Sequence, residues 1–138
     1  LLEINTRISK SHSPLFRNVD GKSHHQVMLD LALGKQPVFP HRKGLYKYSA
    51  KFMWRTHTDA LVKRIPTEQE IQAITQRIGG TDIQLHVREG MRLCDLNYQD
   101  SYSYEIATVF IGSDSEQELL QKYHDVQQAL PLELVPLL

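Results

Sequence analysis

The feature of the sequence that most constrains its fold is an alternation of apolar and polar residues between positions 46 and 55. Side chains on an extended strand point to opposite faces in turn, so an apolar residue at every second position predicts a strand with one buried face. We expect the rings on this face to pack in a core rather than to form a platform for stacking bases. The apolar positions are Tyr46, Tyr48, Ala50, Phe52 and Trp54.

Three amphipathic helices are predicted from capping residues and apolar spacing. A capping box satisfies backbone donors at the start of a helix, and glycine commonly follows its end. Apolar residues that recur every three or four positions then give each helix one face for the core. The helices are predicted to begin at Asp20, at residues 67–70 and at residues 113–116, and to end at Gly34, at Gly79-Gly80 and near Leu130.

Further strands are predicted where short apolar stretches lie between turn residues. Residues 83–87 alternate, Arg88-Glu89-Gly90 forms a turn, and residues 91–96 are expected to pair back as a hairpin. The other stretches are residues 1–4, 61–65 and 104–111. The chain is therefore expected to be an α+β protein with an antiparallel sheet, about five strands and about three helices.

Composition narrows the class of protein. The 138 residues suit one ordinary globular domain. Residues 1–69 hold 12 Lys and Arg against 5 Asp and Glu, a formal charge of +7, and residues 70–138 carry −7. The balanced total argues against a general nucleic-acid-binding protein, and no apolar run is long enough for a membrane span. The single cysteine, Cys94, is expected to be a small apolar core residue in a cytoplasmic protein.

The N-terminal residues combine metal-binding and anion-binding side chains. Glu3, Asn5 and Arg7 occupy alternate positions, so an extended segment places them on one face. Carboxylate and amide oxygens suit Mg²⁺, and a guanidinium binds a phosphate or carboxylate through two hydrogen bonds. The trio therefore fits either half of a nucleotide–metal site or the polar face of an edge strand. Because this start has neither an initiator Met nor a signal peptide, we expect the chain to begin inside a larger protein.

The segment LLEINTRIS, followed by SHSPL, VDG and MLDLALGKQP, resembles the C-terminal end of ATP-grasp carboxylate ligases. That group includes biotin carboxylases and amino-acid ligases, and the resemblance covers most of the chain. It implies that residues 1–40 end the ATP-grasp domain with a metal-binding strand and a helix. Residues 41–138 would then form a β-rich subdomain like the C-terminal one of biotin carboxylases, with YSYEIATVFIGSDSEQELLQKYHDV as its closing strand and helix.

The same resemblance assigns roles to residues near the N-terminus. In this family the Glu and Asn of the E-x-N pattern bind the magnesium ions carried by ATP, and they correspond to Glu3 and Asn5. Arg7 corresponds to a catalytic arginine that stabilises the acyl phosphate or the charge of the transition state. Lys10, where amino-acid ligases often have glycine, is an expected substrate contact together with Ser11-His12.

The expected function is that of the C-terminal part of an ATP-dependent carboxylate–amine ligase that forms an acyl phosphate. Biotin carboxylases have an acidic residue in the stretch here occupied by residues 8–12, and the lack of a carboxylate there favours attack by an amine. Mg²⁺ and ATP are expected in the full-length parent, and none bound tightly by this chain, which alone is expected to be inactive. Its expected partners are the upstream ATP-grasp domain, small carboxylate and amine substrates, and a second copy of the chain.

Two other functions fit the sequence. The first is a non-catalytic module for oligomerisation or substrate docking, because the charge is dipolar and three tyrosines, Tyr98, Tyr102 and Tyr104, lie near one predicted loop. The second is anion or nucleic-acid binding through the basic stretch Lys35–Arg64. The alternative interpretation of that stretch is the solvated face of a hairpin.

Overall fold

The structure, a computed structural model, describes residues 7–9, 11–97 and 102–137. These residues confirm the α+β class and form four α-helices, one 3-10 turn and five strands. Within them, no helix combines the length and the apolar composition needed to cross a bilayer. In chain order the elements are α1 (Ser13–Asp20), α2 (His24–Ala32), β1 (Tyr48–Thr56), β2 (Ala60–Arg64), α3 (Glu68–Arg77), β3 (Thr81–Leu85), the 3-10 turn (Leu93–Asp95), β4 (Tyr104–Ser113), α4 (Glu116–Ala129) and β5 (Glu133–Pro136).

Two sheets are present in the described part of the chain. The larger has the strand order β1-β4-β3, and β3 pairs antiparallel with β4 from Thr81 opposite Ile111 to Leu85 opposite Ala107. The smaller joins β2 and β5 as an antiparallel pair. The sequence analysis did not predict β5, which is only four residues long and ends at a proline.

The chain divides into two compact units. The first comprises residues up to Ala50 together with Gly112–Leu119, and the second comprises Lys51–Ile111 and Leu120–Leu138. The division that the sequence analysis places after residue 40 stays a prediction.

In the first unit, the helix predicted from Asp20 to Gly34 is present as α2, but its predicted start is wrong, because Asp20 belongs to a separate helix, α1. Asp20 is the last residue of α1, and Gly21 follows it in the left-handed conformation with φ of 85°. The second helix begins after Ser23, whose hydroxyl accepts a hydrogen bond from the backbone of Gln26 while the Gln26 side chain accepts one from Ser23. Asp20 does not cap a helix because its carboxylate accepts a hydrogen bond from the backbone of Arg42, whereas Ser23-x-x-Gln26 forms a capping box.

The end of α1 is tied to the loop at residues 42–46. The backbone N–H of Arg42 donates to the buried Asp20 carboxylate over 2.8 Å. The N–H of Gly44 donates to the carbonyl of Val19 over 2.9 Å, and that of Tyr46 donates to the carbonyl of Asn18 over 3.0 Å. We call these three hydrogen bonds the α1 latch. It gives the Val-Asp-Gly sequence a structural role in joining two distant segments of chain.

In the second unit, a core forms around the 3-10 turn. Leu93 is fully buried there and lies in one cluster with Ala60, Val62, Val87 and Ile106. Residues 91–96 do not pair with β3 as a hairpin, so that prediction is wrong. The backbone of Val62 bonds to Met91 and Gly90 instead, which places the turn against β2.

The strand predicted around Phe52 and Trp54 is confirmed, and both rings are partly buried, but the predicted burial of Tyr48 is wrong, because 47% of that residue is exposed. Phe52 stacks on Tyr123 of α4 with ring centroids 3.8 Å apart and planes inclined by 10°. Trp54 meets the same tyrosine edge-on at 6.5 Å. These contacts occupy the rings of Phe52 and Trp54 in packing.

The capping signals predicted for the last two helices are also confirmed. At α3, Glu70 N–H donates to the Thr67 hydroxyl over 3.2 Å, and Thr67 N–H donates to the Glu70 carboxylate over 2.9 Å. Before α4, the N–H of Glu118 donates to the Ser115 hydroxyl over 3.1 Å. Each cap satisfies backbone donors that a helix start otherwise leaves unpaired.

Candidate functional site

The predicted site residues fall partly within the described chain. Arg7 is described and exposed, and Ser11-His12 lie in the turn that leads into α1. Glu3, Asn5 and Lys10 lie outside the described residues, so their predicted roles in binding metal and substrate stay predictions. The structure therefore gives the geometry of the turn after Arg7 and of the helices that follow it.

The turn after Arg7 places hydroxyl groups beside an imidazole. The Ser9 and Ser11 hydroxyl oxygens are 3.4 Å apart. The N–H of His12 donates to the carbonyl of Ser9 over 3.3 Å, which closes the turn. His12 occupies the N-cap position of α1, where its side chain makes no capping hydrogen bond to the described backbone. Its ring is exposed and its backbone carbonyl accepts the first bond of the helix, so the imidazole is presented to solvent beside Ser11.

An apolar cavity of about 470 Å³ is formed between Ile8, the α2 helix and the loop that follows α2. Ile8, the residue that follows Arg7, lines it together with Val27, Met28 and Leu31 of α2 and with Phe39. None of the nine residues of α2, all of them described, is buried, and Met28, Leu31 and Phe39 are among the exposed large hydrophobic residues. A helix that leaves its apolar side chains exposed in this way presents a surface on which another apolar surface can pack.

His24 belongs to an aromatic cluster at one end of the same cavity. Its ring centroid lies 4.0 Å from that of Phe16 and 5.7 Å from that of Phe39. The two phenylalanines meet edge-on at 5.9 Å. The sequence analysis missed this arrangement because Phe16 was not assigned to a helix, and the cluster depends on the contact between α1 and α2.

A second polar cluster lies in the other unit, around Glu105 of β4. The Thr108 hydroxyl donates to one carboxylate oxygen of Glu105 over 2.6 Å and so accepts from Nε2 of His86, 2.7 Å away, because a hydroxyl has one proton. Arg55 donates to the other carboxylate oxygen over 3.0 Å and to the Ser103 hydroxyl over 2.7 Å. Both carboxylate oxygens are engaged, so this cluster is a structural tie across the sheet.

The pKa of Glu105 is held below its ordinary value of 4.5. Partial burial alone raises the pKa, but the Thr108 hydroxyl and the positive charges of Lys51, His86 and Arg55 together lower it by more. A carboxylate with a lowered pKa stabilises the folded state most above the pKa of the unfolded chain. Its contribution is lost as the pH falls through the lower, folded-state pKa.

We expect Glu105→Gln to lower the free energy of unfolding at pH 7 by about 1 to 2 kcal/mol, because it weakens hydrogen bonds to a half-buried charge. The difference from wild type should shrink as the pH is lowered below 4.5, where the wild-type carboxylate itself takes up a proton. Urea unfolding followed by circular dichroism between pH 3 and 7 measures both effects. Glu133→Gln is the control, since its ion pair with Lys63 is largely exposed and solvent screening leaves it little effect on stability. A difference in unfolding free energy between wild type and Glu105→Gln that did not change with pH would contradict the lowered pKa of Glu105.

Cys94 is exposed, which corrects the prediction that it lies in the core. Its backbone N–H donates to Asp59 over 3.1 Å, and Arg92 donates to the other oxygen of the same carboxylate over 2.7 Å. Partial desolvation and the hydrogen bond with Asp59 raise the pKa of the thiol, so Cys94 is not an activated nucleophile. The sequence pattern misled because the buried position of this turn is Leu93, one residue earlier.

The described residues contain no group of three or more His, Cys, Asp and Glu side chains placed to hold a metal ion. Glu3 and Asn5 lie outside the described residues and stay the predicted metal ligands.

Comparisons with known proteins add no assignment to this geometry. No protein-family model, curated protein or solved structure matches the chain.

Proposed function

We propose that the chain is the C-terminal part of an ATP-dependent carboxylate–amine ligase of the ATP-grasp type, and that it acts in a cytoplasmic parent protein. The observation that carries the proposal is the exposed apolar face of α2, which lines one cavity with Ile8, the residue after the Glu3-x-Asn5-x-Arg7 pattern. The pattern supplies side chains for a metal and an anion, and the helix face supplies a surface for a neighbouring domain.

The side chains suit the chemistry of such a site. A carboxylate and an amide oxygen prefer hard cations, so Glu3 and Asn5 would hold Mg²⁺ on the phosphates of ATP. Mg²⁺ supplies charge neutralisation for phosphoryl transfer to a substrate carboxylate. Arg7 is exposed at the end of the same pattern, where a guanidinium can bind the acyl phosphate through paired hydrogen bonds. Ser11-His12 follow in the closed turn and offer hydroxyl and imidazole groups to the substrate.

The apolar face of α2 supports the partner that this proposal requires. Met28 and Leu31 line the cavity together with Ile8 and Phe39. Covering these side chains with another apolar surface is favourable because it removes them from water. We assign that covering surface to the ATP-grasp domain that would precede residue 1. A glycine-rich phosphate loop and the nucleotide-clamp lysines would lie in that domain.

The test is a trapping assay on the full-length protein that contains this chain. With ATP, Mg²⁺ and a panel of small carboxylates, hydroxylamine converts an acyl phosphate into a hydroxamate that is measured by colour. We expect ATP-dependent hydroxamate with at least one carboxylate, and a loss of about 100-fold or more with Glu3→Gln, because removing a metal ligand removes charge stabilisation of the transition state.

Glu89→Gln is the control for that assay, because Glu89 is an exposed turn residue and the substitution removes the same charge as Glu3→Gln does. It should leave hydroxamate formation unchanged. Full activity in Glu3→Gln, or no hydroxamate from any carboxylate in the wild type, would remove the ligase proposal and leave the non-catalytic docking module as the interpretation of the α2 face.

A further inference from the structure

The basic stretch Lys35–Arg64 has two electrically different parts in the structure. Three of its basic residues in the second unit form ion pairs, namely Arg55–Glu105, Lys63–Glu133 and Arg64–Glu70. In the first unit, the side chains of Arg42, Lys43 and Lys47 are exposed and form no ion pair with the acidic residues that the structure describes. Residues 31–58 contain no Asp or Glu. Positive charge is therefore left uncompensated on residues 41–47, which we call the basic loop.

The backbone of the basic loop is held against the rest of the first unit. The α1 latch holds three of its residues, and the N–H of Lys47 donates to the carbonyl of Ser113 over 3.1 Å. Leu45 lies between the latched residues Gly44 and Tyr46, yet 86% of it is exposed, the largest fraction for any large hydrophobic residue in the described chain. The loop therefore presents Leu45 to solvent on an ordered backbone.

An apolar side chain among uncompensated cations matches the chemistry of an anionic bilayer surface. A leucine is stabilised when it leaves water for the boundary between headgroups and acyl chains, while long cationic side chains reach the anionic headgroups. A single exposed leucine is ordinary on a protein surface, but Leu45 lies two residues from Lys43 and two from Lys47. Both kinds of contact can therefore form at one place.

The tyrosine of the basic loop is not available to stack on a nucleic-acid base. Tyr46 is half-buried, and a Cβ atom at Gly112 would lie 2.2 Å from its ring, so the ring packs directly on the backbone of β4. Proteins bind single-stranded nucleic acids through exposed aromatic rings as well as through cations. The loop offers cations and an aliphatic side chain instead, which favours a lipid surface over a nucleic acid.

We propose that the basic loop docks this protein on an anionic membrane surface. Leu45 enters the headgroup region, and Arg42, Lys43 and Lys47 bind the anionic headgroups. The proposal uses none of the residues assigned to the metal, to the substrate or to the apolar face of α2, so it does not depend on the ligase proposal.

Co-sedimentation of the chain with lipid vesicles tests this proposal. We expect binding to phosphatidylcholine vesicles that contain about 30% phosphatidylserine, and binding at least about tenfold weaker to phosphatidylcholine alone. Lys43→Gln combined with Lys47→Gln should weaken binding to the anionic vesicles by about 25-fold, since each cation near the surface contributes about fivefold. Leu45→Ser should weaken it by about tenfold at unchanged charge, because less apolar surface leaves the water.

Matched variants in the second unit separate docking by the loop from the effect of total charge. Arg77→Gln combined with Arg88→Gln removes two exposed positive charges, and Leu120→Ser changes an exposed leucine of α4. Both should bind anionic vesicles as the wild type does. Equal losses in the two double variants, or wild-type binding that is absent or the same on both kinds of vesicle, would overturn the proposal. Binding to a single-stranded RNA oligonucleotide that is tighter than to vesicles and unaffected by Leu45→Ser would also overturn it, because that result would indicate a nucleic-acid surface.

Discussion

Replacing Gly44 by alanine is expected to lower the free energy of unfolding by about 3 kcal/mol or more, at the upper end of overpacking effects. A Cβ atom at this position would lie 2.1 Å from the carbonyl oxygen of Asn18 and 2.6 Å from the carbonyl carbons of Asn18 and Val19. All of these are backbone atoms, so no side chain can rotate out of the way.

The surrounding hydrogen bonds explain why the loop cannot simply move aside. Gly44 and Tyr46 both donate backbone hydrogen bonds to the end of α1, over 2.9 and 3.0 Å. A shift of the loop by the ångström or more that a methyl group requires would break this part of the α1 latch. The variant must therefore either keep the clash or lose the latch.

Urea unfolding followed by circular dichroism measures the effect, with Gly79→Ala as the matched control. A Cβ atom at Gly79 meets nothing within 4 Å. The same substitution should therefore change stability there by about 0.5 kcal/mol or less. Equal midpoints for Gly44→Ala and the wild type would contradict the close packing of residues 42–46 on α1.

Leu93→Ala is the second change with a large expected effect, a loss of about 3 to 4 kcal/mol. Leu93 has no exposed surface and packs with Val62, Val87 and Ile106, so its truncation leaves a cavity. The neighbouring backbone cannot collapse into that space easily, because Val62 bonds to both Gly90 and Met91 and Asp59 bonds to the N–H of Cys94. The turn is held in place on both sides of the deleted side chain.

Leu120→Ala provides the same chemical change on an exposed face of α4, where 54% of the leucine is accessible. It should be close to neutral, since little apolar surface is lost and alanine is a good helix former. Chemical unfolding of both variants gives the comparison. If the two leucines gave similar losses, the 3-10 turn would not be the centre of the core of the second unit.

Sequence reasoning succeeded where a signal is local. The capping box at Thr67, the cap within residues 113–116 and the strand that contains Phe52 and Trp54 depend on residues a few positions apart, and each is present in the structure. The α+β class follows from these elements. These features can be predicted from sequence because all the residues that form a helix cap or an alternating strand face belong to one helix or one strand.

The predictions that failed depend on contacts between distant segments. Residues 91–96 carry an apolar pattern that suits a strand, but Asp59 and Val62 hold them as a turn. Asp20 is a good N-cap residue by type, yet its carboxylate accepts a hydrogen bond from Arg42, 22 positions away.

The α1 latch also determines which part of the chain can be exchanged. It brings Asp20 and Arg42 within hydrogen-bonding distance, so the two ends of the intervening segment of about twenty residues lie close together. The free energy of closing such an excursion rises only slowly with its length. Residues 22–41 thus form a segment whose two ends are held at fixed positions. Substitutions or a grafted sequence within this segment can change α2 and the following loop, while the strands after it keep their register.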